Sequence, residues 1–213
     1  MSGLPTLRKM AFVVGILLGM IVARVASAHP HAWIDLRTSV VLGTEGRVVA
    51  IAQEWLLDDL YSTVLLEDLG TEPAALRAHG ADMLKRLKPF SYFTEVRVDD
   101  EIVEPGTASE FETQLRKNRF WIRFVMPLSA PVDLSQQAFS YAIFDPTYYV
   151  EMLHFEEDGI DVMGAEPGQC QTRIAPPKPT TEAIVRARSV AVDTTPDNSL
   201  GALFAERVEV SCQ

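Results

Sequence analysis

The sequence predicts an α+β domain: a mostly antiparallel, sandwich-like β-structure that carries a helical insertion at about residues 58–90. Apolar and polar residues alternate with a period of two through most of the chain, which is typical of half-buried strands. Turn residues separate these runs at short intervals, while helical periodicity is concentrated in the insertion. We expect residues 29–213 to form a single domain.

The first elements illustrate the pattern. Over residues 31–42 the aliphatic side chains fall on one face of a strand, and Trp33 and the polar side chains fall on the other. A turn at residues 43–46 leads to a returning strand at 47–57, which predicts a hairpin. Asp58 then stands where an N-cap belongs, ahead of a helix that runs to about Leu69. Pro73 suits the first turn of a second helix at about 74–87, although Gly80 is unfavourable within it.

The rest of the chain returns to strands, with Asp158-Gly159 as a strong turn signal. We expect strands at residues 92–98, 101–103, 111–115, 120–126, 138–144, 148–155, 160–163 and 208–212. Residues 175–179 predict a polar, extended connection. A short helix is expected near 181–188, and a helical turn near 200–206.

The first 28 residues have the three parts of a secretory signal. Arg8 and Lys9 provide positive charge, an apolar run of about 13 residues follows, and Ala26-Ser27-Ala28 gives the small-x-small pattern before the cut. This run is shorter than the roughly 20 residues of a membrane-spanning helix. We therefore expect an exported protein whose mature chain begins at His29, and the alternative is an uncleaved anchor.

Charge and cysteine usage agree with export. The chain has 29 acidic and 19 basic side chains and a formal net charge of −10, so its surface repels nucleic acid, which we exclude as a partner. Its two cysteines, Cys170 and Cys212, indicate a disulfide in an oxidising compartment. The alternative is a pair of thiolate metal ligands, although the CxxC spacing of such sites is absent.

Cleavage before His29 would create the most distinctive chemical group in the chain. The sequence His29-Pro30-His31 then offers a free α-amine and two imidazoles, which suit Ni, Co, Cu or Zn as divalent ions. His29 can chelate through its amine and ring as a histidine brace, with His31 or another side chain completing the site. Pro30 has no amide N–H, which excludes a site built from deprotonated amides. The alternative is an exposed terminus with no ligand.

Three further residues are candidates for this site. His154 would reach it if residues 148–155 neighbour the first strand, and we include it as a third ligand. Asp35 shares a strand face with His31 but lies about 13 Å from it along the strand, so the two cannot bind one ion. Asp35 can therefore only contact the groups that surround the metal ligands. Asp145, just before the strand of His154, receives the same supporting role. His79, on the second helix, is expected to be an ordinary partly packed histidine.

Motifs for catalysis are missing from the sequence. It contains no G-x-S-x-G, no glycine-rich phosphate loop and no H-E-x-x-H, and its acidic pairs fall at turns and helix starts. We therefore expect no enzymatic activity. A copper oxidase or oxygenase built on the brace is the least favoured alternative.

Six segments in this order resemble one bacterial family. They are His29–Asp35, Glu54-Trp55 with Leu60-Tyr61-Ser62, Lys88–Phe93, Pro131–Leu134, Phe144–Tyr149, and Gly201–Arg207 leading into Cys212. The family is periplasmic and of unknown function, and its members are often described as periplasmic components of uncharacterised ABC-type transport systems. Proteins of this kind are found with nickel and cobalt transporters.

The resemblance implies a periplasmic accessory or substrate-binding component of a transport system, for a divalent metal such as nickel or cobalt. Its partner would be a membrane transporter or permease. An alternative is a non-catalytic adaptor that docks such a permease through its sandwich or its helical insertion, without metal.

Overall fold

The computed structural model describes residues 32–155, 159–166, 168–189 and 198–212. The expected signal, residues 1–28, lies outside the described residues. The strands of the described ranges are β1 (Ala32–Leu42), β2 (Val48–Leu57), β3 (Thr94–Val98), β4 (Glu101–Val103), β5 (Ser109–Arg116), β6 (Arg119–Val132), β7 (Phe139–Ile143), β8 (Val150–His154), β9 (Ile160–Met163), β10 (Cys170–Ala175) and β11 (Arg207–Cys212). The helices are α1 (Asp59–Leu69), α2 (Pro73–Leu87) and α3 (Thr181–Ser189), with 3₁₀ segments at Lys88–Phe93 and Gly201–Leu203.

The strands form two sheets, which confirms the predicted α+β, sandwich-like fold. In the first sheet the order is β5-β6-β2-β1-β8, and β9 also pairs with β1. In the second the order is β10-β11-β7-β3-β4. The inward side chains of both sheets, such as Val40, Ile51, Val96 and Val208, belong to one buried apolar cluster. This shared core is the main stabilising contact between the sheets.

One edge of the first sheet differs from the expected series of antiparallel strands. Both β8 and β9 run parallel to β1, with Ala32 opposite Val150 and Thr38 opposite Ile160. The two strands therefore follow one another along the same edge and point in the same direction. Asp158 of the predicted Asp158-Gly159 turn lies outside the described residues. The Gly159 carbonyl accepts a hydrogen bond of 2.9 Å from the Thr38 N–H.

The helical insertion begins and packs much as its sequence predicts. The Asp58 side chain accepts a hydrogen bond from the Tyr61 N–H and caps α1, while Pro73 begins α2. Gly80 is buried where α2 meets β5: a Cβ at this position would lie 2.5 Å from Cγ2 of Thr113. The glycine that weakens the helix by propensity thus permits its close approach to the sheet.

Aromatic residues at the end of the 3₁₀ segment Lys88–Phe93 occupy the start of the strand predicted at 92–98. The strand therefore begins at Thr94. Tyr92 and Phe93 have left-handed backbone angles, with φ values of 53° and 58°. Phe93 stacks on Trp55 at a centroid distance of 6.3 Å, and Trp55 meets the edge of Phe124 at 5.3 Å. The chain adopts an uncommon backbone conformation here, and these ring contacts stabilise it.

The disulfide prediction is confirmed. Cys170 and Cys212 lie directly opposite each other on β10 and β11 and are joined as a disulfide, so the alternative of a thiolate metal pair is wrong for this oxidised chain. Strand β10 itself was not predicted from the sequence. Disulfides persist in oxidising compartments, which is compatible with an exported protein.

Candidate amino-terminal site

Two carboxylates meet the chain where β1 begins. The Trp33 N–H donates to Oδ2 of Asp58, and the indole Nε1–H donates to Oε2 of Glu151, both at 2.9 Å. Antiparallel pairing brings the end of β2, and hence Asp58, beside Trp33, while parallel pairing sets Glu151 opposite it. We call Trp33, Asp58 and Glu151 the amino-terminal corner.

Both carboxylates of the corner are fixed by more than one donor. Asp58 accepts from the Trp33 N–H through one oxygen and from the Tyr61 N–H through the other, at 2.9 and 2.8 Å. Its charge lies at the amino terminus of α1, where the helix dipole favours an anion. Glu151 accepts from Trp33 through one oxygen and from the Tyr148 hydroxyl through the other, at 3.0 Å. The corner therefore holds two negative charges in defined positions.

Asp145 supports this corner from the start of β8. It is buried, and it accepts hydrogen bonds from the N–H groups of Thr147, Tyr149 and Val150 and from the Thr147 hydroxyl, at 2.8–3.1 Å. Because Val150 is the partner of Ala32, these bonds fix the strand that carries Glu151. Asp145 thus lies at the same end of the sheet as the start of β1.

Gly201 explains how the last of the six segments of the resemblance reaches this turn. A Cβ at Gly201 would lie 1.8 Å from the Asp145 carbonyl oxygen, and the Gly201 N–H donates to the Pro146 carbonyl at 2.9 Å. Only a glycine allows the two backbones to approach so closely. Tyr148 then stacks on Phe204 with a centroid distance of 4.1 Å, which ties the turn to the 3₁₀ segment.

His154 lies away from the corner, although β8 does neighbour β1 as its candidacy required. It is opposite Leu36, four residues beyond Ala32, which corresponds to about 13 Å along the strand. Its side chain is 2% exposed and faces the space between the sheets. The structure therefore does not bring His154 together with the amino-terminal corner.

Both ring nitrogens of His154 have partners in a buried polar chain. Nδ1 lies 2.9 Å from Oε2 of Glu206, and Nε2 lies 3.2 Å from Oγ1 of Thr38. The Thr38 hydroxyl in turn lies 2.6 Å from that of Tyr141 on the second sheet. We call these four residues the interior polar chain. A metal ion could bind His154 only if one ring nitrogen left its partner.

The charge of Glu206 is stabilised by this arrangement. Burial opposes ionisation, but hydrogen bonds from the His154 ring and backbone N–H, together with the charge of His154, lower the pKa of Glu206 below its ordinary value. Burial raises the pKa of Tyr141 well above its ordinary value, so this residue stays a neutral hydroxyl. The chain of hydrogen bonds thus joins the two sheets and ends at an ionised carboxylate.

Asp35 lies on the outer face of the first sheet, as the strand pattern predicts. Its carboxylate forms an ion pair with Arg119 at 2.8 Å, and both side chains are partly exposed. Arg119 also donates to the Leu56 carbonyl at 3.0 Å. Asp35 therefore helps to join β1 and β6 across β2.

His29 and His31 lie outside the described residues, so their part in a metal site stays a prediction. Over the described ranges, His, Cys, Asp and Glu side chains nowhere gather in groups of three or more that could hold a metal ion. No helix within that part of the chain has the length and apolar character needed to cross a membrane. His79 packs its ring edge against Phe120 at 5.3 Å, in agreement with its expected ordinary role.

Sequence reasoning missed three residues that the structure places in these clusters. Asp58 was recognised only as a helix cap, and Glu151 only as part of a strand. The alternation of Trp33 and Glu151 on their strands could have placed them on one face once the pairing was known. Glu206, 52 residues from His154, carries no local signal.

Comparison with known proteins identifies relatives but no activity. A family model described as "Protein of unknown function (DUF1007)" matches residues 14–212. An uncharacterised protein of Haemophilus influenzae is 24% identical over 208 residues, which cover 93% of this chain and 98% of that protein. Neither comparison names a transport system, nickel or cobalt.

Proposed function

We propose that this chain, which belongs to the DUF1007 family of unknown function, is a non-catalytic periplasmic component of a transport system that binds a divalent transition metal at its mature amino terminus. The observation that carries the proposal is the His29-Pro30-His31 segment at the expected cleavage point, joined directly to a corner that fixes two carboxylates. Its partner would be a membrane transporter or permease.

The chemistry of the segment suits borderline divalent ions. An α-amine and two neutral imidazoles are nitrogen ligands of the kind that Ni, Co, Cu and Zn accept. His31 directly precedes Ala32 in the sequence and is two residues from Trp33 of the amino-terminal corner. The anionic side chains of Asp58 and Glu151 favour a cation there through their charge.

Binding should be tested on the exported protein. Amino-terminal sequencing establishes whether His29 is the first residue, and calorimetric titration with Ni, Co, Cu and Zn salts measures affinity. We expect saturable binding that His29→Ala and His31→Ala each weaken by at least about tenfold, because each removes a ligand. His79→Ala is the matched control, since His79 lies on α2 and should leave the affinity unchanged.

Two further variants separate the parts of the proposal. An additional residue before His29 should abolish chelation by the amine and leave weaker binding by two imidazoles. Glu151→Gln should lower the affinity by a smaller factor, because it removes a nearby charge and no predicted ligand. Equal binding by wild type and by the His29→Ala/His31→Ala double variant would refute the metal site.

The adaptor function is a second candidate, supported by the outer surface of α1. Leu60, Tyr61 and Val64 are neighbours on the helix surface at spacings of three and four residues or less, and they are 73%, 46% and 55% exposed. An apolar surface of this kind on an exported domain suits contact with another protein. Leu60→Ser/Val64→Ser should keep metal affinity, while a loss of cellular metal uptake in this variant alone would favour the adaptor.

A further inference from the structure

The outer face of the second sheet carries a groove of about 990 Å³, whereas the amino-terminal corner belongs to the first sheet. Its floor follows β3, β7 and β11, where Arg97 is opposite Ser140 and Ser140 is opposite Glu209. Residues 134–138, which precede β7, and residues 171–173 of β10 line its sides. This volume is large enough for a small-molecule ligand.

Two arginines on the groove floor are held by one carboxylate. Nε of Arg97 and Nη2 of Arg207 both donate to Oε1 of Glu95, at 2.8 and 2.6 Å. Arg97 also donates to the Asp100 carbonyl, and Arg207 lies 3.4 Å from the Ser140 hydroxyl. A guanidinium has more N–H donors than these contacts use. The pair is thus fixed in position with donors to spare.

The ionisation state of this cluster is well defined. Burial opposes the charge of Glu95, but hydrogen bonds and charge from Arg97 and Arg207 lower its pKa below the ordinary value. Glu95 is therefore a carboxylate, and the two guanidinium groups together exceed it by one positive charge. Arg97 and Arg207 are each about one-third exposed, so an anion in the groove can reach them.

The groove differs in its charge from the rest of the molecule. The charged side chains that line it are Arg97, Arg173 and Arg207 against Asp100 and Glu209, and Glu95 beneath the arginines balances the third positive charge. The groove is thus neutral in a chain whose formal net charge is −10. Arg173 is itself paired with Glu209 at the rim. Amides and hydroxyls, including those of Gln137, Gln171 and Ser140, provide the other polar contacts. Such a lining suits a ligand that is anionic and rich in hydroxyl groups.

We propose that this groove binds a small hydroxylated carboxylate, a sugar acid or hydroxy acid, whose carboxylate is held by Arg97 and Arg207. The planar guanidinium matches a carboxylate through paired N–H···O bonds, and the amides and hydroxyls bind the hydroxyl groups. The site is independent of the proposed metal site, because it lies on the other sheet and uses different residues.

Calorimetric titration of the full mature chain with glucuronate, galacturonate, malate and citrate tests the site, with glucose and inorganic phosphate as comparison ligands. We expect saturable binding of at least one of the four acids. Arg97→Gln and Arg207→Gln should each weaken it by about tenfold or more, because each removes charge-assisted hydrogen bonds. Arg86→Gln, an exposed arginine of α2, is the matched control and should bind as the wild type does.

Further outcomes show which class of ligand binds, and they separate a loss of binding from a failure of a variant to fold. Ser140→Leu keeps both arginines and fills the floor, so it should block binding even if an arginine variant does not fold. Phosphate that binds as tightly as the best acid would overturn the assignment to carboxylates, and so would binding of the acids that the arginine variants leave unchanged. Absence of binding by all four acids would also overturn it. Metal affinity in Ser140→Leu should equal that of wild type, which separates this proposal from the previous one.

Discussion

The interior polar chain makes a quantitative prediction about the contact between the two sheets. Thr38 is 2% exposed and Tyr141 fully buried, and their hydroxyl oxygens lie 2.6 Å apart. Thr38→Val keeps the shape of the side chain but leaves the Tyr141 hydroxyl without this partner. A buried polar group that loses its hydrogen bond destabilises the fold by about 1–3 kcal/mol. The His154 ring loses a contact too, at the further cost of about one hydrogen bond, so we expect a total effect of about 2–4 kcal/mol.

The partner variant should be milder. Tyr141→Phe removes one hydroxyl, while Thr38 keeps the ring of His154 as a partner at 3.2 Å. The expected loss is about 1 kcal/mol, the usual net value of one hydrogen bond. In the Thr38→Val/Tyr141→Phe double variant no orphan tyrosine hydroxyl remains. The double variant should therefore be more stable than the sum of the single effects implies, by about 1–2 kcal/mol.

Urea unfolding followed by tryptophan fluorescence and far-UV circular dichroism measures these free energies. Each kcal/mol corresponds to a Tm change of about 2–4 °C for a chain of this size. Thr63→Val is the control, because its hydroxyl bonds the Asp59 carbonyl on the exposed surface of α1 and its loss should matter by less than about 0.5 kcal/mol. Effects of the two core variants that add within about 0.5 kcal/mol would refute the coupled chain.

Three other perturbations test the pair at Glu206, the disulfide and the helix packing. Because the folded pKa of Glu206 is lowered, its carboxylate stabilises the fold above its ordinary pKa of 4.5, and this contribution is lost as pH falls through the folded pKa. The difference in unfolding free energy between wild type and Glu206→Gln should therefore shrink on acidification below about pH 4.5, and a constant difference would contradict this. Cys170→Ala/Cys212→Ala should lower the unfolding free energy by about 4 kcal/mol, since the bridge joins residues 42 positions apart, and reductant should affect only the wild type. Gly80→Ala should destabilise by about 1–3 kcal/mol through the contact with Thr113, and a more stable variant in thermal unfolding would disprove that packing account.

Local patterns were sufficient to predict most elements of this fold. Asp58 caps α1 because a short acidic side chain before an apolar run satisfies the first N–H groups of a helix, and α1 ends at Leu69 as expected. Hairpin β1–β2 follows from alternation and a glycine-rich turn. Strand β10 escaped prediction because none of its side chains is buried, so burial imposes no alternation on its sequence.

Pairing between distant segments was not predictable in the same way. The parallel alignment of β8 and β9 on β1 depends on sheet packing, which a turn signal such as Asp158-Gly159 does not report. The amino-terminal corner and the interior polar chain both depend on this register. A register shift of one residue would move Glu151 from the outer face to the inner face and His154 from the inner face to the outer one. Knowledge of the strands alone could therefore not have placed either side chain.

The position of β1 in the sequence also determines when each of its two edges can pair with a neighbouring strand. Strand β2 follows within a few residues, but Glu151 is 118 positions after Trp33, so one edge of β1 waits for the last third of the chain. Contacts of such separation form late in folding, and an open strand edge can meanwhile pair with other chains. A chain synthesised from its amino terminus therefore carries β1 with one edge unpaired until the residues of β8 have been made.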